Sequence, residues 1–493
     1  MKRLRRMVFL LGVCLALTCS ALGTVGSGKP NIIFILADDL GWGDTGFNWQ
    51  NARAEGLPHI KTPNLDRLAA SGVTLTDHYC AAPVCAPSRA SILTGQRQGE
   101  CSLRDNCFDR AFSETNTLGT VMREHGYATW AVGKWGIAGG GESGESVTSH
   151  PLDRGFDYYY GFLDHLAGHT YYHYRGYVRG AYMGITENRT DATEGAEGIY
   201  STDLFTAKVK QLASDHVATA PDQPFFLYFA INTIHGSSRS DDTLLHKERL
   251  HVPGRPYPAE GVSWPLEKEQ LELRNTWIGP QYRSLPAPAA RYATAITRFD
   301  DAIGDLMRHL EKLGIADKTI IIFTSDNGPA DANGADPRTF GSAGPFDGLK
   351  RDVFEGGMRV PAIIRWPGVI AAGTVDSSPS QSQAWMRFLG AAAEGRYEPM
   401  PSEVYTQYEY PYGSSSGGFR EFAERKGDVR GLQQMVRVGD WVALRTRIRE
   451  GGAKVRLYNV AEDPFQSCDR SGDADQQSRL AEMTAILDER LGE

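Results

Sequence analysis

Five short apolar runs that alternate with helical patterns constrain this fold more than any other feature of the sequence. The runs are rich in Ile, Val and Phe and have the length of buried strands. They cover residues 31–36, 129–133, 224–231, 319–324 and 360–366. Helical patterns run from Thr62 to Gly72, from Thr117 to His125 and over 290–313, where apolar residues recur at steps of three and four. Strands that alternate with helices predict an α/β sandwich around a large, mostly parallel central sheet.

The pattern changes after residue 375. Three later segments, at 404–413, 433–445 and 454–464, have the composition of antiparallel strands, and a helical pattern follows near 475–491. We therefore expect a main domain over residues 29–375 and a smaller C-terminal α+β subdomain over 390–493, built from an antiparallel sheet and a helix.

Residues 1–23 have the features of a cleavable signal peptide: a basic head, an apolar stretch and small residues near the end. No later segment has the length of uninterrupted apolar sequence that a membrane span needs. We therefore expect a periplasmic or secreted protein without a membrane span. The formal net charge is −8 although the leader is basic. An acidic mature chain disfavours nucleic acid as a partner.

Five cysteines follow the leader: Cys80, Cys85, Cys101, Cys107 and Cys468. In an oxidising compartment an odd number leaves at least one thiol unpaired or chemically altered. Cys101 and Cys107 are close enough in sequence to form a disulfide, and this remains open. Cys85 is the best candidate for the odd thiol.

Polar residues stand directly after four of the predicted strands, in the sequences ADD (37–39), GKWG (133–136), NTIHG (232–236) and SDNG (325–328). Ligands of open α/β sheets bind at the carboxyl ends of the strands. Asp38, Asp39, Asp326 and Asn327 offer the hard oxygen ligands that Ca²⁺ or Mg²⁺ prefers. The alternative is that these residues only end strands in turns.

A second short stretch combines Cys85 with a helix start. Pro87 and Ser88 favour the beginning of a helix that continues to Gly95. Cys85 would face the positive end of this helix, where a thiolate or an oxyanion is stabilised. The alternative is a buried or disulfide-bonded cysteine that precedes an ordinary helix.

The sequence CAPSR at 85–89, with LTG at 93–95, resembles the signature of the formylglycine-dependent (type I) sulfatases of the alkaline phosphatase superfamily. The resemblance runs from about residue 29 to the end. It implies an alkaline phosphatase-like sandwich and sulfatase activity. It also implies that a separate maturation enzyme oxidises Cys85 to formylglycine (3-oxoalanine), and that one Ca²⁺ or Mg²⁺ lies between this residue and Asp38, Asp39, Asp326 and Asn327.

The resemblance also implies a role for each remaining polar residue. The hydrate of formylglycine attacks the sulfur of a sulfate ester, and the covalent intermediate then expels sulfate. Arg89 would hold the formylglycine oxygens, Lys134 and Lys350 would hold sulfate, and His235 would act as the acid at the bridging oxygen. Taken singly, each lysine would more often be a surface residue and His235 a satisfied histidine at a strand end.

One position departs from the family pattern. The family commonly has Gly-Lys-Trp-His where this chain has GKWG, so the histidine often proposed as a base is replaced by Gly136. We predict that His169 or His173, from the long insert at 136–190, takes over the proton handling. The alternative is that both histidines belong to a sugar-binding or packing loop.

Seven of the tyrosines in this insert form a cluster in the sequence that favours a sulfated carbohydrate over a small aryl sulfate, because a tyrosine offers an apolar face and a polar tip to a sugar ring. They are Tyr158, Tyr159, Tyr160, Tyr171, Tyr172, Tyr174 and Tyr177. A core role is the alternative for about half of them. Two other functions remain open: a phosphatase or phosphodiesterase of the same superfamily with unmodified Cys85, and a sulfated-glycan binding protein without turnover.

Overall fold

The computed structural model describes residues 28–107, 109–141, 146–196, 199–235, 279–330, 336–409, 431–451 and 453–491. The predicted signal peptide at 1–23 lies outside the described residues, as do residues 410–413 of one predicted strand.

The described residues form a ten-stranded mixed sheet, a four-stranded sheet and two short two-stranded pairs. The strands are β1 (Asn31–Ala37), β2 (Val73–Leu75), β3 (His78–Tyr79), β4 (Ala128–Lys134), β5 (Tyr158–Phe162), β6 (Tyr177–Val178), β7 (Ala181–Tyr182), β8 (Thr186–Glu187), β9 (Thr190–Asp191), β10 (Phe225–Ala230), β11 (Thr319–Ser325), β12 (Ala362–Arg365), β13 (Thr374–Asp376), β14 (Ser380–Gln381), β15 (Val404–Glu409), β16 (Leu432–Val438), β17 (Trp441–Arg445) and β18 (Arg456–Asn459).

The α-helices of the described residues lie between these strands in the sequence, except the last, which follows the final strand. They are α1 (Pro63–Ala70), α2 (Cys85–Thr94), α3 (Leu118–Glu124), α4 (Ser201–Thr219), α5 (Ala287–Lys312), α6 (Pro337–Phe340), α7 (Glu355–Met358), α8 (Trp385–Ala393) and α9 (Gln477–Leu491). The five apolar runs and all five helices expected from the sequence are present, with ends that shift by up to three residues.

The large sheet has the strand order β13-β2-β12-β11-β1-β10-β4-β5-β8-β9. Its centre, from β11 to β5, is parallel throughout. The fifth apolar run forms β12, which pairs antiparallel with β11. This confirms the predicted α/β sandwich with a mostly parallel centre.

The central strand β1 is buried on both of its faces, which explains its continuous apolar sequence. Ile33 and Ile35 point into one core cluster, and Ile32 and Phe34 point into the other. The first cluster includes residues of α1, α4 and α5, and the second includes residues of α2, α3 and α8. The helices therefore form one layer on each side of the sheet.

The second sheet, β15-β16-β17-β18, is antiparallel throughout, as the sequence predicts for the C-terminal region. Helix α9 covers it through Met483 and Leu487. Ion pairs tie this sheet to the rest of the protein, because Arg437 of β16 and Arg359 both bind Asp77, which lies between β2 and β3. The domain boundaries at 375 and 390 stay predictions.

The structure answers two further questions from the sequence. No disulfide joins Cys101 to Cys107. None of the helices in the described parts of the chain has the length and apolar character needed to cross a membrane.

Strands β4 and β10 can approach closely because residue 133 is a glycine. We expect Gly133→Ala to lower the free energy of unfolding by more than about 4 kcal/mol. Gly133 has a φ of +108°, and an added Cβ would lie 2.0 Å from the carbonyl oxygen of Ala230. Gly314→Ala is the control, because Gly314 also has a positive φ but no atom within 4 Å of an added Cβ. We expect a loss of only about 1–2 kcal/mol there. Denaturant unfolding measures the free energy of unfolding of both variants. Equal losses in the two variants would contradict the argument from close approach.

Candidate active site

The candidate site lies at the carboxyl ends of the four neighbouring parallel strands β11, β1, β10 and β4. Asp38 and Asp39 follow β1, and Asp326 and Asn327 follow β11. The register pairs Ala37 with Ser325, so the two acidic pairs begin at the same level of the sheet. Strand β4 ends at Lys134, and His235 lies in the segment after β10. The parallel pairing therefore brings together residues that are about 290 positions apart.

Three of these side chains, together with Cys85, form a buried cluster that could hold a metal ion. One ligand atom from each of Asp38, Asp39, Cys85 and His235 lies within 4.8 Å of all the others. Asp39 has a φ of +63°, a left-handed conformation that is uncommon for a residue other than glycine. Asp39 is further held by its backbone N–H, which donates to Asp326 Oδ1 at 3.1 Å. A buried group of this composition can bind a metal ion.

Two buried oxygens of the site support a cation in particular. Within the described parts of the chain, Asp38 Oδ1 and Asn327 Oδ1 accept no hydrogen bond, although Arg89 Nη2 lies 3.5 Å from Asp38 Oδ1. The amide nitrogen of Asn327 donates to Asp39 Oδ1 at 2.8 Å, which leaves the amide oxygen as the remaining acceptor. Buried acceptors are nearly always satisfied, and a hard cation at this point would give both oxygens a partner.

Three buried cations surround the three carboxylates. Lys134 Nζ lies 2.7 Å from Asp38 Oδ2, and Lys350 Nζ lies 2.7 and 2.9 Å from the two oxygens of Asp39. Arg89 Nε donates to Asp326 Oδ2 at 2.8 Å. All six side chains are almost completely buried. Each charge therefore has an opposite charge in contact, as buried ions require.

The surroundings shift the pKa values of Asp38 and Asp326 in opposite directions. Burial alone would raise the pKa of Asp38, but Lys134 and Arg89 beside it hold that pKa well below its usual range. Burial together with the charge of Asp38 raises the pKa of Asp326 to about 7, although Arg89 opposes the change. Asp38 therefore stays ionised, whereas Asp326 is the carboxyl group of the site that most readily takes up a proton.

Cys85 is the first residue of α2, so the helix begins two residues before the predicted start at Pro87 and Ser88. Its Sγ lies 3.8 Å from Asp39 Oδ1. Arg89 follows one turn later and therefore lies on the same face of the helix. Burial raises the pKa of the Cys85 thiol, and this outweighs the nearby Lys350. The group is therefore a neutral thiol despite its place at a helix N-terminus.

His235 contacts both charged sides of the cluster. Its Nε2 lies 3.1 Å from Lys350 Nζ and 3.6 Å from Asp39 Oδ2. An ammonium group has no acceptor, so Lys350 donates to this nitrogen. Burial and Lys350 lower the pKa of His235 to about 3, so the imidazole is neutral.

The insert brings one of its two predicted histidines into contact with this cluster. The His169 ring stacks on the His235 ring, with 3.7 Å between centroids and 9° between planes. His173 is buried, and its ring packs against Phe162. The structure thus places His169 in the site, whereas the ring contact of His173 is with the core.

The structure adds a histidine that the sequence analysis did not single out. His165 Nδ1 donates to the carbonyl oxygen of Gly136 at 3.1 Å, and its ring lies 4.8 Å from the His169 ring. A Cβ on Gly136 would lie 3.3 Å from His165 Nδ1, so this imidazole occupies the space beside Gly136. The spacing of four in HLAGH (165–169) was the available signal.

Most of the seven tyrosines singled out in the sequence belong to the core. Tyr159, Tyr160, Tyr171 and Tyr172 are almost completely buried. Tyr158 and Tyr174 are partly buried against the same core, and only Tyr177 is largely exposed. The core alternative is therefore confirmed for at least four of the seven.

Comparison with known proteins agrees with this geometry. A family model described as Sulfatase matches residues 30–393. N-acetylgalactosamine-6-sulfatase of Mus musculus is 33% identical over 388 residues, which cover 73% of this chain and 62% of the relative. Arylsulfatase J of Mus musculus is 31% identical over 387 residues, which cover 76% of this chain and 54% of the relative. The chain thus spans little more than half the length of these curated relatives.

A solved structure supports the fold. Ps i-CgsB, crystallised in complex with k-i-k-neocarrahexaose, has a TM-score of 0.68 and 24% sequence identity, and the match covers 94% of this chain and 92% of that one. This likeness agrees with the expected alkaline phosphatase-like sandwich. The match of the family model over most of the chain, together with the cluster around Cys85, shows that the protein belongs to the sulfatase family.

Proposed function

We propose that this protein hydrolyses sulfate esters at Cys85 after this residue has been oxidised to formylglycine. The observation that carries the proposal is the composition of the buried site: Cys85 lies among three carboxylates, two lysines and an arginine at one end of the sheet. The proposal includes export through the leader at 1–23 to the periplasm or the outside of the cell.

The charges of the site support an anionic substrate. Asp38, Asp39 and Asp326 balance the three cations that contact them, so a divalent cation would leave the site with a net positive charge. Such a site favours an anion such as a sulfate ester. Asp38, Asp39, Asp326 and Asn327, with residue 85, would hold this ion, which we propose to be Ca²⁺ or Mg²⁺. The bound ion would supply Lewis acidity and neutralise negative charge.

The state of Cys85 supports its modification. A thiol is a nucleophile only as the thiolate, and burial disfavours that form here. An unmodified Cys85 that attacks phosphate esters, as in the rival phosphatase, therefore fits the site poorly. Oxidation to the aldehyde replaces the sulfur with an oxygen centre, and we propose that the maturation enzyme implied by the family resemblance performs it.

The remaining residues have positions that fit a transfer of the sulfuryl group. Arg89 lies one turn from residue 85 and would orient its oxygens. Lys134 and Lys350 now hold Asp38 and Asp39, and their ammonium groups can turn to the oxygens of a bound sulfate. Lys350 donates to His235, and we propose that this pair protonates the departing oxygen. Among the histidines of the insert, His169 is the one in ring contact with this pair.

We propose a sulfated carbohydrate as the substrate. The curated relative named N-acetylgalactosamine-6-sulfatase and the solved structure that holds k-i-k-neocarrahexaose support this class. A sugar-binding role for the insert would agree with it.

The modification can be tested by mass spectrometry of the peptide that contains Cys85, from protein expressed with a formylglycine-generating enzyme. We expect an aldehyde in place of the thiol, and release of sulfate from an aryl sulfate. Cys85→Ala should abolish this release, whereas Cys468→Ala should retain it, because Cys468 is exposed and outside the site. An intact thiol at residue 85 in fully active protein would contradict the proposal.

The cation is expected to stabilise the folded protein. Removal by a chelator should lower the melting temperature and abolish sulfate release, and Ca²⁺ or Mg²⁺ should restore both. A ligand at about one hundred times its Kd contributes about 2.7 kcal/mol. Asp39→Asn should lose most of this ion-dependent stabilisation, whereas Asp317→Asn, at a highly exposed carboxylate, should keep it. A melting temperature that does not respond to either ion would count against the site.

The histidines can be separated by single substitutions. His169→Asn is expected to lower kcat for an aryl sulfate by about 10²-fold and to change the pH profile, because the residue stacks on His235. His125→Asn is the control, since His125 is bonded to Val121 at the end of α3. If His169→Asn and His173→Asn both keep full turnover, neither histidine takes over the proton handling.

A further inference from the structure

A cavity of about 700 Å³ lies within the insert, and none of its lining residues has a role in the proposed chemistry. Its volume falls within the range of about 300–1,000 Å³ that small-molecule sites have in proteins. The polar and aromatic side chains that matter here are Asp164, Arg175, Tyr177, Tyr182, Arg189 and Asp191.

The cavity shares a wall with the candidate active site. Leu163 and Asp164 line the cavity. The carbonyl oxygen of Leu163 accepts a hydrogen bond from the N–H of Gly136 at 3.0 Å, and the next imidazole, His165, donates to the carbonyl oxygen of the same glycine. Gly136 follows Lys134 by two residues. The 163–165 segment therefore lies between the cavity and the active site, and only this segment separates a ligand in the cavity from the residues beside Gly136.

Two tyrosines form an aromatic platform at the cavity. Strands β6 and β7 make a tight hairpin in which Tyr177 pairs with Tyr182. Directly opposed residues of a hairpin point to the same face, and the two ring centroids are 5.2 Å apart. The hydroxyl of Tyr182 is bonded to Asp191 and Thr193, which orients its ring. Tyr177 is 73% exposed and presents its ring to solvent.

The charged groups around the cavity are already paired. Arg175 binds Asp191 at 2.6 Å and Glu194 at 3.4 Å, and Arg189 binds Asp153 at 2.6 Å. Asp164 Oδ2 accepts from the N–H of Tyr182 at 2.6 Å. The lining therefore offers both donors and acceptors without an excess of positive charge. This chemistry suits hydroxyl groups better than a second sulfate.

We propose that this cavity is a subsite for an uncharged pyranose ring of a sulfated glycan whose sulfated ring occupies the active site. The C–H face of the ring would stack on Tyr177, and its hydroxyls would bond to Arg175, Arg189 and the neighbouring carboxylates. This inference rests on the proposed function, because it assumes a glycan as the substrate. It assigns the binding of longer chains to the β6–β7 hairpin.

Binding of glycans by an inactive protein tests the subsite. The Cys85→Ala variant is applied to an array of carrageenan, chondroitin and heparan fragments that range from disaccharide to octasaccharide. We expect affinity to increase with chain length for at least one series. Adding Tyr177→Ala should lower the affinity for the longer fragments about tenfold, a change well within the range of single contacts. Tyr177→Phe in the same Cys85→Ala background should keep the affinity of the parent, because the aromatic ring is retained.

Phe465→Ala in the same background is the matched control, since Phe465 is another exposed aromatic side chain, in the C-terminal region. It should leave binding unchanged, and thermal melts should show that all variants are folded. The subsite proposal is overturned if no fragment binds with length dependence, or if Tyr177→Ala binds as well as its parent. Sulfate release by the wild-type protein is measured separately. Its absence would refute the proposed activity, whereas length-dependent binding that requires Tyr177 would still establish the subsite.

Discussion

Three carboxylates, Asp38, Asp39 and Asp326, are buried in contact with three buried cations, Arg89, Lys134 and Lys350. Each ion would be strongly destabilising if its partner were removed, since an uncompensated buried charge costs several kcal/mol. The parallel pairing of β1 with β11 and β10 supplies the rigid frame that keeps these partners together. The proposed divalent ion would add positive charge to this balance, and the lysines would then be available to bind an anion.

The insert between β4 and α4 completes this site. Gly168 lies so close to Lys134 that a Cβ would be 2.6 Å from the lysine Cδ, so the insert packs directly on the side chain that holds Asp38. The same segment brings His165 against Gly136 and His169 against His235. The imidazole of His165 thus lies in the space beside Gly136, which has no side chain. On its other side, the segment forms the wall of the cavity beside Tyr177 and Tyr182.

Several features were predictable because they depend on local sequence. Strand β1 is apolar on both faces, and α5 has apolar residues at helical spacing, so their burial follows from the period of each element. The polar residues after β1, β4, β10 and β11 were predictable as a group, because parallel strands end at one edge of the sheet. Other features depend on packing. The neutral state of Cys85 arises from complete burial, and this outweighs the effect of the helix N-terminus that local sequence suggested.

The sequence by itself determined the α/β class, the polar strand ends and the stretch around Cys85, because alternation and motif spacing are local properties of the chain. Only the tertiary structure decided which histidines reach the site, that β12 runs antiparallel, that Cys101 and Cys107 are not bridged, and that most of the tyrosines are buried. These properties depend on contacts between segments far apart in sequence. Such contacts arise only once the sheet and its two helical layers have been assembled.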